Sequence, residues 1–282
     1  MTKLLGAADI RQLAEEMGVT PTKKLGQNFV VDGNTVRKIV KSANLVAGDI
    51  VLEVGPGLGS LTLGILEAGH EVLAVEIDSR LAERLAETAS KFQPEATEHE
   101  RLTVIHQDAL QLRELPKAPQ ALVANLPYNV SVPVLLHLLE HFPSLNKGLV
   151  MVQAEVGYRL AAGPGSKIYG APSLKAAWYG HWEIAGKVSR QIFWPIPNVD
   201  SVLVRFSSDE RPDSEEMRQQ TFRIIDAAFG QRRKTLRQAL ATLYGSPTAA
   251  AEAVEAAGIV SSARGEELVL SQFLDLARNS SF

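Results

Sequence analysis

Between residues 50 and 152 the chain repeats one pattern: a short apolar run, a turn, then a stretch with helical spacing. Residues 50–54 (IVLEV), 71–75, 102–105, 121–124 and 148–152 are the apolar runs. Residues 58–68, 79–89 and 132–139 carry apolar side chains at helical intervals. Strands alternating with helices predict an α/β fold, with a parallel sheet covered on both faces. The near-continuous apolar character of the runs fits strands buried on both sides. After Lys175 the pattern changes. Residues 182–188 and 201–206 read as two strands close in sequence, joined by the proline-marked segment 193–197, and they predict an antiparallel closing pair. Residues 207–214 (SSDERPDS) form a polar linker, and 215–229, 234–243, 248–257 and 266–278 are helical with Gly230, Gly245 and Gly258 as punctuation. Two domains follow, 1–206 and 207–282.

Composition narrows the chemistry. The 282 residues include no cysteine, which excludes a disulfide scaffold, thiol catalysis and cysteine-ligated metal. No apolar run reaches the roughly 18 residues of a membrane span, and the first residues read as an amphipathic helix, not a signal peptide. A soluble, cytoplasmic chain is expected. The net charge of −3 argues on its face against a nucleic-acid partner, but the charge is unevenly spread. Residues 46–110 hold 4 basic against 12 acidic side chains, whereas residues 1–45 hold 7 against 4 and residues 111–206 hold 9 against 5. The tightest basic clusters are Lys23/Lys24, Arg37/Lys38/Lys41 and Arg232/Arg233/Lys234/Arg237. A solvated helix face and an anion-binding surface both fit such clusters.

The turn Glu53-Val54-Gly55-Pro56-Gly57-Leu58-Gly59 joins the first strand to its helix. In open α/β sheets ligands bind beyond the carboxyl ends of the strands. The dinucleotide fingerprint would place a third glycine where this chain has Ser60, and Pro56 removes an amide from a pyrophosphate cradle. A ligand without phosphate is favoured. Glu76 follows the second strand, where an ionised carboxylate suits two ribose hydroxyls. Asp108 follows the third, where it could accept from a base amino group. The set reads as a nucleoside site, although a tight turn with two helix-capping acids uses the same residues.

Asn125-Leu126-Pro127-Tyr128 follows the fourth strand. Together with Gly26–Phe29 (GQNF), 53–57, Val75-Glu76-Ile77-Asp78, Gln107-Asp108-Ala109, Asn125–Ser131, the segment 193–201 and 229–240 (FGQRRKTLRQAL), it makes the chain resemble the KsgA-type ribosomal RNA adenine dimethyltransferases over about residues 21–278. Independent motifs fall at the ends of successive strands, so the ordered set is specific where the glycine turn alone is not. Leu25 and Val30 depart from the family's usual residues, apolar for apolar. Residues before Pro21 lie outside the likeness and receive no function.

The resemblance implies a Rossmann-like S-adenosylmethionine-dependent methyltransferase sheet with a small C-terminal helical domain. It implies dimethylation of N6 of two adjacent adenines in a hairpin loop near the 3′ end of small-subunit (16S) ribosomal RNA, with a role in small-subunit biogenesis. Gln27, Asn28 and the backbone at Val30 would close over S-adenosylmethionine. Gly55 and Gly57 would line its methionine part, Glu76 its ribose, and Ile77, Asp108 and the adjoining Ala109 its adenine, with Asn125 between cofactor and base. The adenine N6 lone pair is delocalised into the ring, so acceptors for both N–H groups would favour a pyramidal, nucleophilic nitrogen. The side-chain oxygen of Asn125 and the carbonyl of Leu126 are those acceptors. Pro127 stiffens the turn, and Tyr128 offers a face for stacking, a contact typically worth about 1–3 kcal/mol. Phe193 would be a second stacking face, or else a core phenylalanine before a proline turn. Lys23, Lys24, Arg232, Arg233, Lys234 and Arg237 would meet phosphates of the partner, small-subunit ribosomal RNA or the pre-ribosomal small subunit.

Neither a metal nor a membrane is expected, and the chain is expected to act as a monomer. His137-Leu-Leu-Glu140-His141 matches an H-x-x-E-H pattern, but no third ligand is evident. Two other readings stay open: a large-subunit methylase of macrolide-resistance type, and a ribosome-assembly RNA-binding factor in which methylation is secondary.

Overall fold

The computed structural model describes residues 3–18, 28–208 and 210–280. Its strands are β1 (Phe29–Val30), β2 (Ile50–Val54), β3 (Glu71–Glu76), β4 (Leu102–His106), β5 (Ala121–Asn125), β6 (Lys147–Gln153), β7 (Gly180–Val188), β8 (Phe193–Trp194) and β9 (Ser201–Ser208). Seven form one sheet in the order β4-β3-β2-β5-β6-β9-β7. From β4 to β6 neighbouring strands run parallel, and β9 lies antiparallel to β6. The expected late strands are therefore present, with β7 at the edge outside β9. β1 and β8 form a separate antiparallel pair, with Phe29 opposite Trp194 and Val30 opposite Phe193.

The order reverses between β2 and β5, since the chain moves outward through β3 and β4 and then returns to β5 on the other side of β2. That is the switch point at which such Rossmann-like sheets open a crevice. The glycine turn leaves β2 and Asn125 ends β5, so both motifs meet there.

The helices of this part are α1 (Ala7–Glu16), α2 (Gly33–Ser42), α3 (Ser60–Glu67), α4 (Ser79–Phe92), α5 (Pro94–Glu98), α6 (Ser131–His141) and α7 (Ala154–Leu160). Their starts follow local chemistry. Asp32 caps α2 by accepting from the Asn34 and Thr35 amides, and Asp78 caps α4 by accepting from the Arg80 amide. Residues of α3 from Ser60 to Leu66 are all buried, because this helix lies inside the layer rather than on its surface. Ile10, Leu13 and Ala14 of α1 bury in the same core as β2 and β3.

By internal contacts the chain forms two compact units, Met1–Gly157 with Glu183–Ser208, and Tyr158–Trp182 with Asp209–Phe282. The sequence boundary near residue 207 keeps 158–182 with the sheet. The packing instead groups that segment with the helices, because Tyr169 and Leu174 bury in one core with Ile224, Ile225 and Leu236. The second unit comprises α8 (Ala171–Ala177), α9 (Glu215–Gly230), α10 (Leu236–Ala239), α11 (Ala241–Tyr244), α12 (Pro247–Ala256) and α13 (Leu270–Arg278). The single helix predicted over 234–243 is interrupted at the buried Leu240. The Tyr169 hydroxyl donates to the Leu268 carbonyl at 2.8 Å, tying the inserted segment down.

Candidate active site

A cavity of about 280 Å³ opens at the switch point. Asn28, Phe29 and Val30, the turn from Glu53 to Leu58, Glu76 and Ile77, Gln107 to Leu110, and Asn125 and Pro127 line it. Of the residues expected at a cofactor, Asn28, Val30, Gly55, Gly57, Glu76, Ile77, Asp108, Ala109 and Asn125 are thus all brought to one space. Gln27 lies outside the described residues, as do Lys23 and Lys24.

Backbone geometry explains the glycines. Gly55 has φ +70° and Gly57 φ +57°, a region costly for residues with a Cβ. A Cβ on Gly57 would also lie 2.8 Å from the Phe29 ring. The turn therefore presents bare backbone to the cavity beneath the β1 segment.

Glu76 is bound into this turn. Its Oε2 accepts from the Gly57 amide at 3.1 Å, and its Oε1 accepts from the Ile77 and Asp78 amides at 2.9 and 3.0 Å. Burial raises its pKa, and the three amides work against that rise. A carboxylate offers about four acceptor positions, so one remains for a ligand hydroxyl. Asp108 Oδ1 accepts from the Leu110 amide at 2.9 Å. Ile77 is 54% exposed although it borders an apolar cavity, a placement that suits the face of a bound ring.

Glu53 is a participant that the sequence motif alone does not single out. It is 1% exposed, lines the cavity, and accepts from the Thr62 hydroxyl at 2.6 Å. Burial pushes its pKa up to about 8, with the nearby Glu76 adding to the rise. Ser60 stands out in the sequence only as the missing third glycine. Its hydroxyl donates to the Val30 carbonyl at 2.5 Å.

The acceptor motif has a definite orientation. Asn125 Nδ2 donates to the Asn28 carbonyl at 3.1 Å. A carbonyl can only accept, which fixes the amide with its oxygen pointing the other way. That oxygen is buried and has no hydrogen-bond partner among the described residues. The Leu126 side chain is buried, and its amide donates to the Met151 carbonyl at 3.1 Å. The Tyr128 hydroxyl shares a hydrogen bond of 2.6 Å with Ser201, and burial raises its pKa.

Phe193 sits differently from a free stacking face. It is 2% exposed, pairs with Val30, and belongs to the core cluster containing Phe29 rather than to the cavity lining. The basic cluster is also divided. Arg233, Lys234 and Arg237 are exposed, but Arg232 gives Nε to Glu266 at 2.8 Å and Nη2 to the Lys167 carbonyl at 2.8 Å. Its guanidinium therefore braces the helical unit. His137 and His141 stack with centroids 4.3 Å apart. His137 Nε2 donates to the Leu112 carbonyl and His141 Nδ1 to the His137 carbonyl. Among the described residues no group of three His, Asp or Glu side chains is placed to hold a metal ion, and no helix is long and apolar enough to cross a membrane.

The family model described as ribosomal RNA adenine dimethylase matches residues 19–279. A protein of Leifsonia xyli subsp. xyli (strain CTCB07), named ribosomal RNA small subunit methyltransferase A, is 66% identical over 276 residues, covering 98% of each chain. Among solved structures, a dimethyladenosine transferase from Plasmodium falciparum superposes with a TM-score of 0.71 at 23% identity, covering 88% of this chain and 95% of that one. The 23S rRNA methyltransferase ErmE superposes with a TM-score of 0.65 at 25% identity, covering 89% and 99%. A match along nearly the whole chain, on a sheet whose switch point gathers the expected motifs, shows that the chain belongs to the ribosomal RNA adenine dimethylase family.

Proposed function

We propose that this chain transfers methyl groups from S-adenosylmethionine to N6 of two adjacent adenines in a hairpin loop near the 3′ end of small-subunit ribosomal RNA. The observation that carries the reading is the buried Oδ1 of Asn125 at the edge of the cavity, which has no hydrogen-bond partner among the described residues. A buried acceptor without a donor costs about 1–3 kcal/mol, and an N6 amino group is a donor of matching chemistry.

The cavity residues fit the methyl donor. Gly55 and Gly57 hold the left-handed backbone that brings the turn to the cavity, Glu76 retains an acceptor position, and Ile77 offers an apolar face. When bound, the cofactor would supply a methyl group already activated on a sulfonium. The protein's own work is then positioning and electrostatics. Asn125 Oδ1 and the Leu126 carbonyl would accept from the two N6 hydrogens and draw the lone pair out of the ring. Tyr128 would stack the extruded base, offsetting the few kcal/mol that removal from the RNA stack costs. The exposed Arg233, Lys234 and Arg237, with Lys23 and Lys24, would hold phosphates. Processing of small-subunit RNA would place the chain in the cytoplasm, acting as a monomer on a pre-ribosomal particle. The small-subunit name of the 66% identical relative favours this RNA over the large-subunit target of the 25% identical methylase.

The test is mass spectrometry of both ribosomal RNAs from cells with and without the protein. N6,N6-dimethyladenosine should vanish from the small-subunit loop on deletion, return with the wild-type chain, and stay absent with Asn125→Ala. Persistence of the modification, or its loss from large-subunit RNA alone, would sink the reading.

A further inference from the structure

We propose that Ser201 is a positioning residue for the target base, acting through Tyr128; the proposal rests on the reading that Tyr128 stacks that base. The two hydroxyl oxygens are 2.6 Å apart although the residues are 73 positions apart in the chain. The two residues are carried very differently. Ser201 is 1% exposed and is the first residue of β9, in register with Gln153 of β6. The Ala154 amide donates to the Asp200 carbonyl at 2.8 Å immediately beside it. Its hydroxyl is therefore held by a strand ladder. Tyr128 lies in the short segment between β5 and α6 and is only half-buried.

A tyrosine ring on a turn can swing about two side-chain torsions. Pro127 restrains the backbone end of that lever, and the bond to Ser201 restrains the far end. A ring held at both ends presents one plane to an incoming base, which is the preorganisation that positioning requires. The sheet supplies the rigidity, so the acceptor oxygen of Asn125 at the end of β5 and the stacking plane are both referenced to strands of one sheet. Burial also raises the pKa of the phenol above its ordinary value.

The test compares Ser201→Ala, Ser201→Thr, Tyr128→Phe, Tyr128→Ala and the double variant Ser201→Ala/Tyr128→Phe. Turnover and RNA KM are measured alongside the fluorescence of a hairpin carrying 2-aminopurine at the target position. S-adenosylmethionine affinity is measured as a check that the fold is intact. Ser201→Ala and Tyr128→Phe should each lower kcat by about 5–10-fold, the effect of one neutral hydrogen bond. Each should weaken the quenching of bound 2-aminopurine, and the double variant should be no worse than either single change. Ser201→Thr should restore both signals, and cofactor affinity should stay unchanged throughout. Wild-type turnover and quenching in Ser201→Ala and Tyr128→Phe would overturn the positioning role, provided Tyr128→Ala is inactive. If Tyr128→Ala itself turns over and quenches normally, the stacking reading fails and the positioning role falls with it. Should Ser201→Ala not fold, Tyr128→Phe decides, because it removes the same bond from the other side.

Discussion

The Ser60 hydroxyl, at the start of α3, donates to the Val30 carbonyl at 2.5 Å and so pins β1 over the cavity. Val30 and Ser60 both line that cavity. Without the hydroxyl a buried carbonyl loses its donor, at a cost of about 1–3 kcal/mol. Part of that cost falls on the closed position of β1. Ser60→Ala is expected to weaken S-adenosylmethionine binding by about tenfold while leaving kcat at saturating cofactor nearly unchanged. Calorimetric titration of the variant checks this, and an unaltered affinity would show that β1 holds its place without Ser60.

Gly57 is the position where backbone and space agree. Its φ is +57°, its amide donates to Glu76, and a Cβ would press on the Phe29 ring. Gly57→Ala should therefore disturb the turn, the Glu76 carboxylate and β1 together. The left-handed conformation alone costs an alanine about 1–2 kcal/mol. Cofactor affinity is expected to fall by more than about tenfold, with RNA affinity measured in the absence of cofactor little changed. Loss of RNA affinity to the same degree would point to general unfolding instead.

Glu53 makes stability depend on pH in a direction opposite to most carboxylates. Burial raises its pKa in the folded chain from 4.5 to about 8. Between those values the unfolded chain releases a proton that the folded chain keeps. The stabilising contribution is thus complete below about pH 4.5 and is lost as pH rises toward 8, by at most about 1.4 kcal/mol per pH unit. Glu53→Gln keeps the shape and cannot ionise, so its denaturant midpoint should change less between about pH 5 and pH 8 than that of the wild type. Glu76, also raised by burial, accounts for a remaining slope of the same sign. Identical pH profiles for the two proteins would mean that Glu53 is not the proton-retaining group.

The centre of the sheet is legible in the sequence because β2, β3, β5 and β6 are buried along most of their length and read as nearly continuous apolar runs. Residues 50–54 and 71–75 fall within one residue of β2 and β3. The cavity-lining residues Gly55, Glu76, Asp108 and Asn125 are legible because each sits at or just past a strand end, where the chain must turn. What escapes a sequence reading depends on pairing across distance. Ser201 opens a strand like any polar residue, and nothing local signals that its hydroxyl meets Tyr128. Phe193 has the same local sequence whether it faces a base or the core, and only its burial in the core cluster decides. The placement of 158–182 escapes for the same reason, since Tyr169 finds its partner Leu268 about a hundred residues later.

The basic cluster separates into one structural and three surface charges, and mutation should reveal the split. Arg232 is joined to Glu266 and to the Lys167 carbonyl, whereas Arg233, Lys234 and Arg237 are exposed. Removing Arg232 leaves a carbonyl and a carboxylate without their donor. Arg232→Ala is therefore expected to lower the unfolding temperature of the helical unit by several degrees, with Arg232→Lys restoring only part of it because a lysine lacks the two-pronged donor. The combined variant Arg233→Ala/Lys234→Ala/Arg237→Ala should keep the wild-type unfolding temperature and bind hairpin RNA more weakly. Its dependence of log affinity on log salt should be shallower by about 0.7 for each phosphate no longer neutralised, the value for single strands. An equal salt slope in the triple variant and the wild type would remove these three side chains from the RNA-binding surface. A shallower slope in Arg232→Ala with no change in unfolding temperature would return Arg232 to that surface.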